Sequence, residues 1–139
     1  MANVGVIMQS NLLNWALGAP VAAPTRPSVY GVGLSFGSPT STSASEVTLG
    51  SSNYTRQTLG ATAFPAATTV ASSAYVSNSN AASFTNLSAA SWSGIQVWDS
   101  VLSNNSGNQL FYGLLATART TIAGDALVLA AGALTVSMS

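Results

Sequence analysis

Residues 91–99 read SWSGIQVWD, residues 103–108 read SNNSGN, and residues 109–117 read QLFYGLLAT. In the first stretch Ile95 and Val97 alternate with Trp92, Gln96 and Trp98. A period of two puts alternate side chains on opposite faces of a strand. The second stretch collects Asn, Ser and Gly, the residues that turn a chain most cheaply. The third is apolar and strand-like. Together they predict an antiparallel hairpin.

The same alternation recurs on either side. In residues 28–36, Tyr30, Val32, Leu34 and Phe36 alternate with Ser28, Gly31, Gly33 and Ser35. One face of that strand is bulky and the other nearly bare, so another part of the backbone should approach the bare side. Residues 54–59 (YTRQTL), 74–76, 83–85, 126–129 and 134–138 are further strands, with turns at Asn78-Ser79-Asn80, Gly124-Asp125 and Gly132. Residues 61–69, with Phe64-Pro65, read as irregular coil, and Glu46 to Leu49 as a short strand inside the long polar segment 37–53. Seven or eight short strands at this spacing predict a mainly β fold, an antiparallel β-sandwich of jelly-roll-like or immunoglobulin-like type.

The N-terminus breaks the pattern. Val4, Ile7, Met8, Leu12 and Trp15 recur at three- and four-residue steps, which predicts one helix over residues 4–17. Asn3 is its candidate N-cap, and Gly18 followed by Pro20 its stop. The plain reading docks this stripe on the core; the terminal position also suits docking on a partner. Pro20, Pro24 and Pro27 make residues 19–27 a stiff connector. The chain therefore divides into residues 1–27, helix and connector, and residues 28–139, the β domain.

Composition limits the chemistry. The 139 residues include three Lys+Arg, three Asp+Glu, no His and no Cys. General acid–base and thiol chemistry need side chains that are almost wholly missing here. Three scattered arginines form no phosphate-binding patch, which argues against nucleic acid. No stretch reaches the length of a membrane-spanning apolar run, and no secretory leader is expected. Only 4% of residues are charged, against about a quarter in ordinary soluble domains. The polar surface must then be hydroxyl and amide, which desolvates more cheaply than charge and suits close packing beside other proteins.

The few special residues have plain readings. Glu46, Asp99 and Asp125 lie too far apart for a calcium loop, so no metal site is expected. Asp125 reads as a turn residue bonding its own backbone. Arg56 reads as an internal clamp on carbonyls or on one carboxylate, Asp99 or Glu46. Trp92, Trp98 and Tyr112 could stack on sugars, but core packing is the simpler reading. Asn53, Asn86 and Asn104 begin glycosylation acceptor patterns.

Several segments together resemble a family of small tailed-bacteriophage virion proteins. They are Leu12-Leu13-Asn14-Trp15-Ala16-Leu17-Gly18, Val32-Gly33-Leu34-Ser35 with Pro39-Thr40, and Tyr54-Thr55-Arg56-Gln57. The order Phe84, Trp92, Ile95, Trp98-Asp99 and the run Leu110-Phe111-Tyr112-Gly113 are similar too. So is Thr121-Ile122-Ala123-Gly124-Asp125 followed by Ala131-Gly132-Ala133-Leu134-Thr135-Val136. Such proteins are tail-fibre-like, and some are similar to capsid decoration (cement) proteins. The chain departs from them in its poverty of charge and in a 37–53 segment that is polar rather than acidic.

The resemblance implies a helix on a compact β-sandwich, repeated copies in a virion, no enzyme activity and no cofactor. The foremost expectation is a capsid decoration protein bound to the major capsid protein or other virion proteins, as a homo-oligomer in many copies. The second is a tail-fibre or baseplate component touching host glycans. Neither nucleic acid nor membrane is an expected partner. The parts least needed to close a sandwich supply the candidate partner-binding residues. These are Val4, Ile7, Met8, Leu12 and Trp15 of the helix, Pro20, Pro24 and Pro27 of the connector, and Thr40, Ser43 and Glu46 of the polar segment.

Overall fold

The computed structural model describes residues 3–18, 25–41, 46–47, 53–70, 73–102 and 107–138. Within them the chain runs β1 (Asn3–Val4), α1 (Val6–Leu17), β2 (Val29–Ser35), β3 (Gln57–Gly60), β4 (Thr68–Val70) and β5 (Ser73–Ser77). It continues through β6 (Ala82–Leu87), β7 (Ala90–Trp98), β8 (Gln109–Thr121), β9 (Asp125–Leu129) and β10 (Thr135–Met138). The fold is mainly β, antiparallel and sandwich-like, with one N-terminal helix, as the alternation predicts.

The predicted hairpin is the spine of the larger sheet. β7 and β8 pair antiparallel, Val97 opposite Phe111 and Ile95 opposite Gly113. Asp99 closes its loop: Oδ1 accepts the Asn108 N–H and Oδ2 the Asn108 side-chain amide, each at 2.7 Å. The sheet has the order β1-β8-β7-β2-β3. Two smaller sheets, β10-β5-β4 and β6-β9, complete the fold.

One core gathers side chains from the larger sheet and the β6-β9 sheet. Val32 and Leu34 of β2, Leu59 of β3, and Ile95 and Val97 of β7 meet Phe84 and Leu87 of β6 and Leu127 of β9, with Leu134 joining just before β10. β3, β6 and β9 each spend one face on the core, which is why the period of two is readable there. Tyr54 stacks 6.1 Å from Phe84 and lies 6.2 Å from Trp92, centroid to centroid.

The bare side of β2 behaves as predicted. A Cβ on Gly33 would stand 2.8 Å from both Glu46 Oε1 and Tyr54 Oη, and one on Gly31 would overlap the Ser100 carbonyl oxygen. Only a missing side chain lets those segments cross the sheet so closely.

Several boundaries differ from the sequence reading, each for a physical reason. Trp92 does not share a face with Gln96 and Trp98; it joins the core with Ile95 and Val97. The register breaks between Trp92 and Gly94, where residues 115–118 of β8 stand opposite Ser93 alone, and such a bulge re-aims the side chains beside it. The strand predicted over 54–59 begins only at Gln57: Tyr54 and Arg56 are buried and Thr55 exposed, as in a strand, but beyond Val32 the edge of β2 is met by the Tyr54 hydroxyl and the Ser35–Glu46 bridge instead. Within the coil predicted for 61–69, Thr68–Val70 forms a strand against β5. Of the strand predicted over 46–49, Glu46 makes an isolated bridge to Ser35, and residues 48–49 lie outside the described residues. Asn3 is not an N-cap: it pairs with Tyr112 in β1, and the cap position falls to Gly5, which has no side chain to offer. Gly5 is held there because its N–H donates to the Leu110 carbonyl at 2.7 Å, and a Cβ would overlap the Gln109 carbonyl.

Candidate functional site

Two features stand out among the described residues: a buried charged clamp that fixes the loops, and an apolar helix left open.

The clamp is built around Arg56. Its Nε and Nη2 donate to Glu46 Oε1 and Oε2, both at 2.6 Å, a two-pronged pairing that only a guanidinium makes. Nη1 donates to the carbonyls of Ser100 at 2.9 Å and Leu102 at 2.6 Å. The guanidinium carbon lies 4.0 Å from the Trp98 ring centroid, over the ring face that attracts cations. The Arg56 and Glu46 side chains are 0% and 2% exposed. Thus a charge pair taken out of water is satisfied on every side, which is what keeps such a pair from being a liability. Arg56 is an internal clamp as read from the sequence, with Glu46 as its carboxylate.

Tyr54 extends the cluster. Its hydroxyl donates to Glu46 Oε1 at 2.7 Å and accepts the Leu34 N–H at 3.0 Å. Burial, and then the neighbouring Glu46 charge, push its phenol far above the ordinary tyrosine range. A pKa raised on folding contributes stability below the unfolded value, and that stability drains away once the unfolded chain begins to ionise. Stability should therefore fall above about pH 10 by ~1.4 kcal/mol per unit. Tyr54→Phe should be less stable at neutral pH yet lose that part of the alkaline slope; urea melts at pH 8 to 11 measure both.

The helix is the opposite case. α1 has no buried side chain and carries no charge. Leu13, Trp15 and Leu17 are 60%, 54% and 83% exposed, with Val6 and Ile7 also open. Its attachments are few: the β1 pairing to β8, the Gly5 bond, and Met8 packed against the core. Between it and residues 61–67 lies an apolar hollow of about 390 Å³ lined by Met8, Tyr30, Phe64 and Phe111. Arg26 pins the end of the connector there, donating to the carbonyls of Ala61 and, at 2.8 Å, Phe64. A twelve-residue helix without a side-chain cap is marginal alone in water, so it gains by packing against something else.

The expected partner-binding residues are scattered by this geometry. Ile7 and Trp15 face solvent, while Val4, Met8 and Leu12 are half-buried; the plain core-docking reading of the stripe holds for Met8 but not for the helix as a whole. Pro27 is half-buried and Thr40 exposed. Glu46 turns inward to Arg56 and offers no surface contact, because its carboxylate is consumed in the clamp. Pro20, Pro24 and Ser43 lie outside the described residues. The sequence stripe missed Leu13 and Leu17, since a helix apolar on all sides hides its exposed positions from a periodicity test.

Among the described residues no three His, Cys, Asp or Glu gather, and no helix is long and apolar enough to cross a membrane. Asp125 caps its own turn, accepting the Ile122 N–H at 2.9 Å. Trp92 and Trp98 are buried, so they present no stacking platform for sugars. Trp92 Nε1 donates to Thr121 Oγ1 at 2.9 Å.

Comparison with characterised proteins returns no match. Comparison with protein families matches residues 3–137 to the family described as Podophage GP4 fiber I protein gp80. That match runs across β1, α1 and all three sheets, and the chain belongs to this phage fibre protein family, as a structural component of a virion.

Proposed function

We propose that the chain is a non-enzymatic subunit of a tail fibre, joined to other virion proteins and to copies of itself through the open face of α1. The observation that carries this reading is an uncharged helix with Leu13, Trp15 and Leu17 in solvent beside a well-filled core. Burying side chains of this size on a partner contributes about 1.5–3 kcal/mol each. The family's description as a fibre protein supports the tail location. Capsid decoration is the competing reading, supported by the neutral surface, since weak neutral contacts repeated over a shell lattice add up through avidity.

Cryo-electron microscopy of the particle separates the two. A handful of copies at the tail is the expected result; hundreds over the head would replace the fibre reading with decoration. Trp15→Lys/Leu17→Lys tests the surface itself. Both positions are exposed, so the isolated protein should keep its stability within about 0.5 kcal/mol. Attachment to the particle should weaken by roughly a hundredfold, the equivalent of ~3 kcal/mol. Undiminished attachment would remove α1 from the interface. Point changes are preferable to deleting residues 2–27, which would also remove β1, Met8 and the Arg26 tether.

Salt gives an independent check. Contacts without charges are not screened, so the protein should stay on the particle in about 1 M salt, where surface ion pairs fade. Release by salt alone would point to an ionic interface instead.

A further inference from the structure

The far half of β8 is covered on neither face. Residues 116–120 are exposed without a break, and alternate side chains of a strand point to opposite faces, so both meet solvent. Along the outer edge β1 covers Phe111 and Tyr112, and among the described residues no strand covers the rest. β9 pairs there with β6 alone. Between β8 and β9 runs a groove of about 480 Å³, lined by Leu115, Thr117, Arg119, Asp125, Val128 and Leu129. Val128 is 57% exposed. Strand edges left open in this way are normally covered, because their N–H and C=O groups pair with any extended chain that reaches them.

The charges in the groove say what covers it. Arg119 is exposed and forms no ion pair or side-chain hydrogen bond within the molecule. Asp125 is half spent: Oδ2 accepts the Ile122 N–H, and Oδ1 takes no partner within the molecule. The other four charged side chains are committed elsewhere. Glu46 is paired with Arg56, Asp99 holds Asn108 with both oxygens, and Arg26 bonds two backbone carbonyls. The unmet positive group and the unmet carboxylate oxygen therefore line one groove, yet they form no ion pair with each other. A groove that carries both signs is complementary to itself. A two-fold axis through it can set Arg119 of each copy against Asp125 of the other, so that both charges are answered at once. The neutral remainder of the surface adds no repulsion between copies. We infer that the β8–β9 groove is a two-fold contact between copies of this chain, in which Arg119 of each pairs with Asp125 of the other and the open edges of β8 are covered together. The contact is separate from α1 and does not depend on a head or tail location.

Sedimentation equilibrium of the purified full chain tests it, in the Trp15→Lys/Leu17→Lys background so that α1 does not contribute. The expected species is a reversible dimer. Arg119→Glu sets carboxylates against each other and Asp125→Arg sets guanidiniums together, so each alone should weaken the dimer by about tenfold or more. An equimolar mixture of the two variants should dimerise within about threefold of the parent, because each mixed pair restores both opposite-charge contacts. Only a contact between copies gives that rescue. Asp125→Arg also loses the turn bond to Ile122, so a second measurement does without it. The chain has no Cys, and a lone Thr117→Cys can be linked only to another copy. A short bis-maleimide should link it about tenfold faster than the exposed Thr58→Cys on β3, since the dimer holds the two thiols at a raised effective concentration. A monomer at every concentration would leave the groove to a different protein and overturn the inference. A dimer indifferent to Arg119→Glu, a mixture of folded variants no stronger than its components, or equal linking at Thr117 and Thr58 would overturn it too. Failure of the α1 reading would leave these results unchanged, because α1 is already disabled in every sample.

Discussion

Arg56→Ala is expected to lower the unfolding free energy by about 3–5 kcal/mol, the usual result of breaking a buried ion pair from one side. The substitution leaves the Glu46 carboxylate 2% exposed with its main counter-charge gone. It also strips the Ser100 and Leu102 carbonyls of their donor and uncovers the Trp98 face. Glu46→Ala should cost less. The guanidinium would keep both carbonyls and the indole, and Tyr54 would keep its bond from the Leu34 N–H. The order matters as much as the size. Urea denaturation of both variants should show Arg56→Ala as the less stable; the reverse order would mean that the carboxylate, not the guanidinium, organises the cluster.

Trp92→Ala should cost about 3–5 kcal/mol as well, by a different route. Trp92 is fully buried between Phe36, 4.9 Å away by ring centroid, and Tyr54, so truncation opens a cavity that β-strands cannot collapse to fill. Trp92→Phe should cost only about 1–2 kcal/mol. It keeps most of the packing and loses the bond to Thr121, whose hydroxyl still donates to the Ser88 carbonyl at 2.7 Å. Thermal or urea melts of the pair separate the two contributions. Equal losses would place the weight on the Nε1 hydrogen bond.

Where one face of a strand meets the core, the sequence was enough. Val32, Leu34, Ile95, Val97, Leu134 and Val136 alternate and are all buried, and Gly124 and Gly132 mark turns where the chain turns. The glycines of β2 announced a close approach, though not what approached. Legibility failed where a long-range contact overrode the local pattern. Nothing near Asn3 shows that its backbone will pair with Tyr112, and nothing near Trp92 shows that residues 115–118 will bulge opposite Ser93. The clamp was half legible: six charged side chains forced Arg56 toward a carboxylate, but the choice of Glu46 over Asp99 depends on which loop crosses the bare face of β2. The assembly surface was least legible. Burial is a property of the folded surface, and Ile7 and Met8, adjacent in the same stripe, end on different sides of it.

The register of the sheets has a kinetic consequence. Val32 pairs with Val97, Ala82 with Leu129, and Ser77 with Thr135, so few strands find their partner close by in the chain. Topologies dominated by such distant pairings fold in milliseconds to seconds rather than microseconds, because loop entropy is lost before contacts repay it. The Arg56 cluster, which joins residues 46, 56, 100 and 102, can close only when β2 and β7 are already side by side. Interactions that form after the rate-limiting step slow unfolding more than they speed folding. A newly made chain would then collapse slowly around its aromatic centre and lock last at the clamp. Once locked, its lifetime would be set by the height of the escape barrier, a fitting property for a part that cannot be resynthesised after the particle leaves its host.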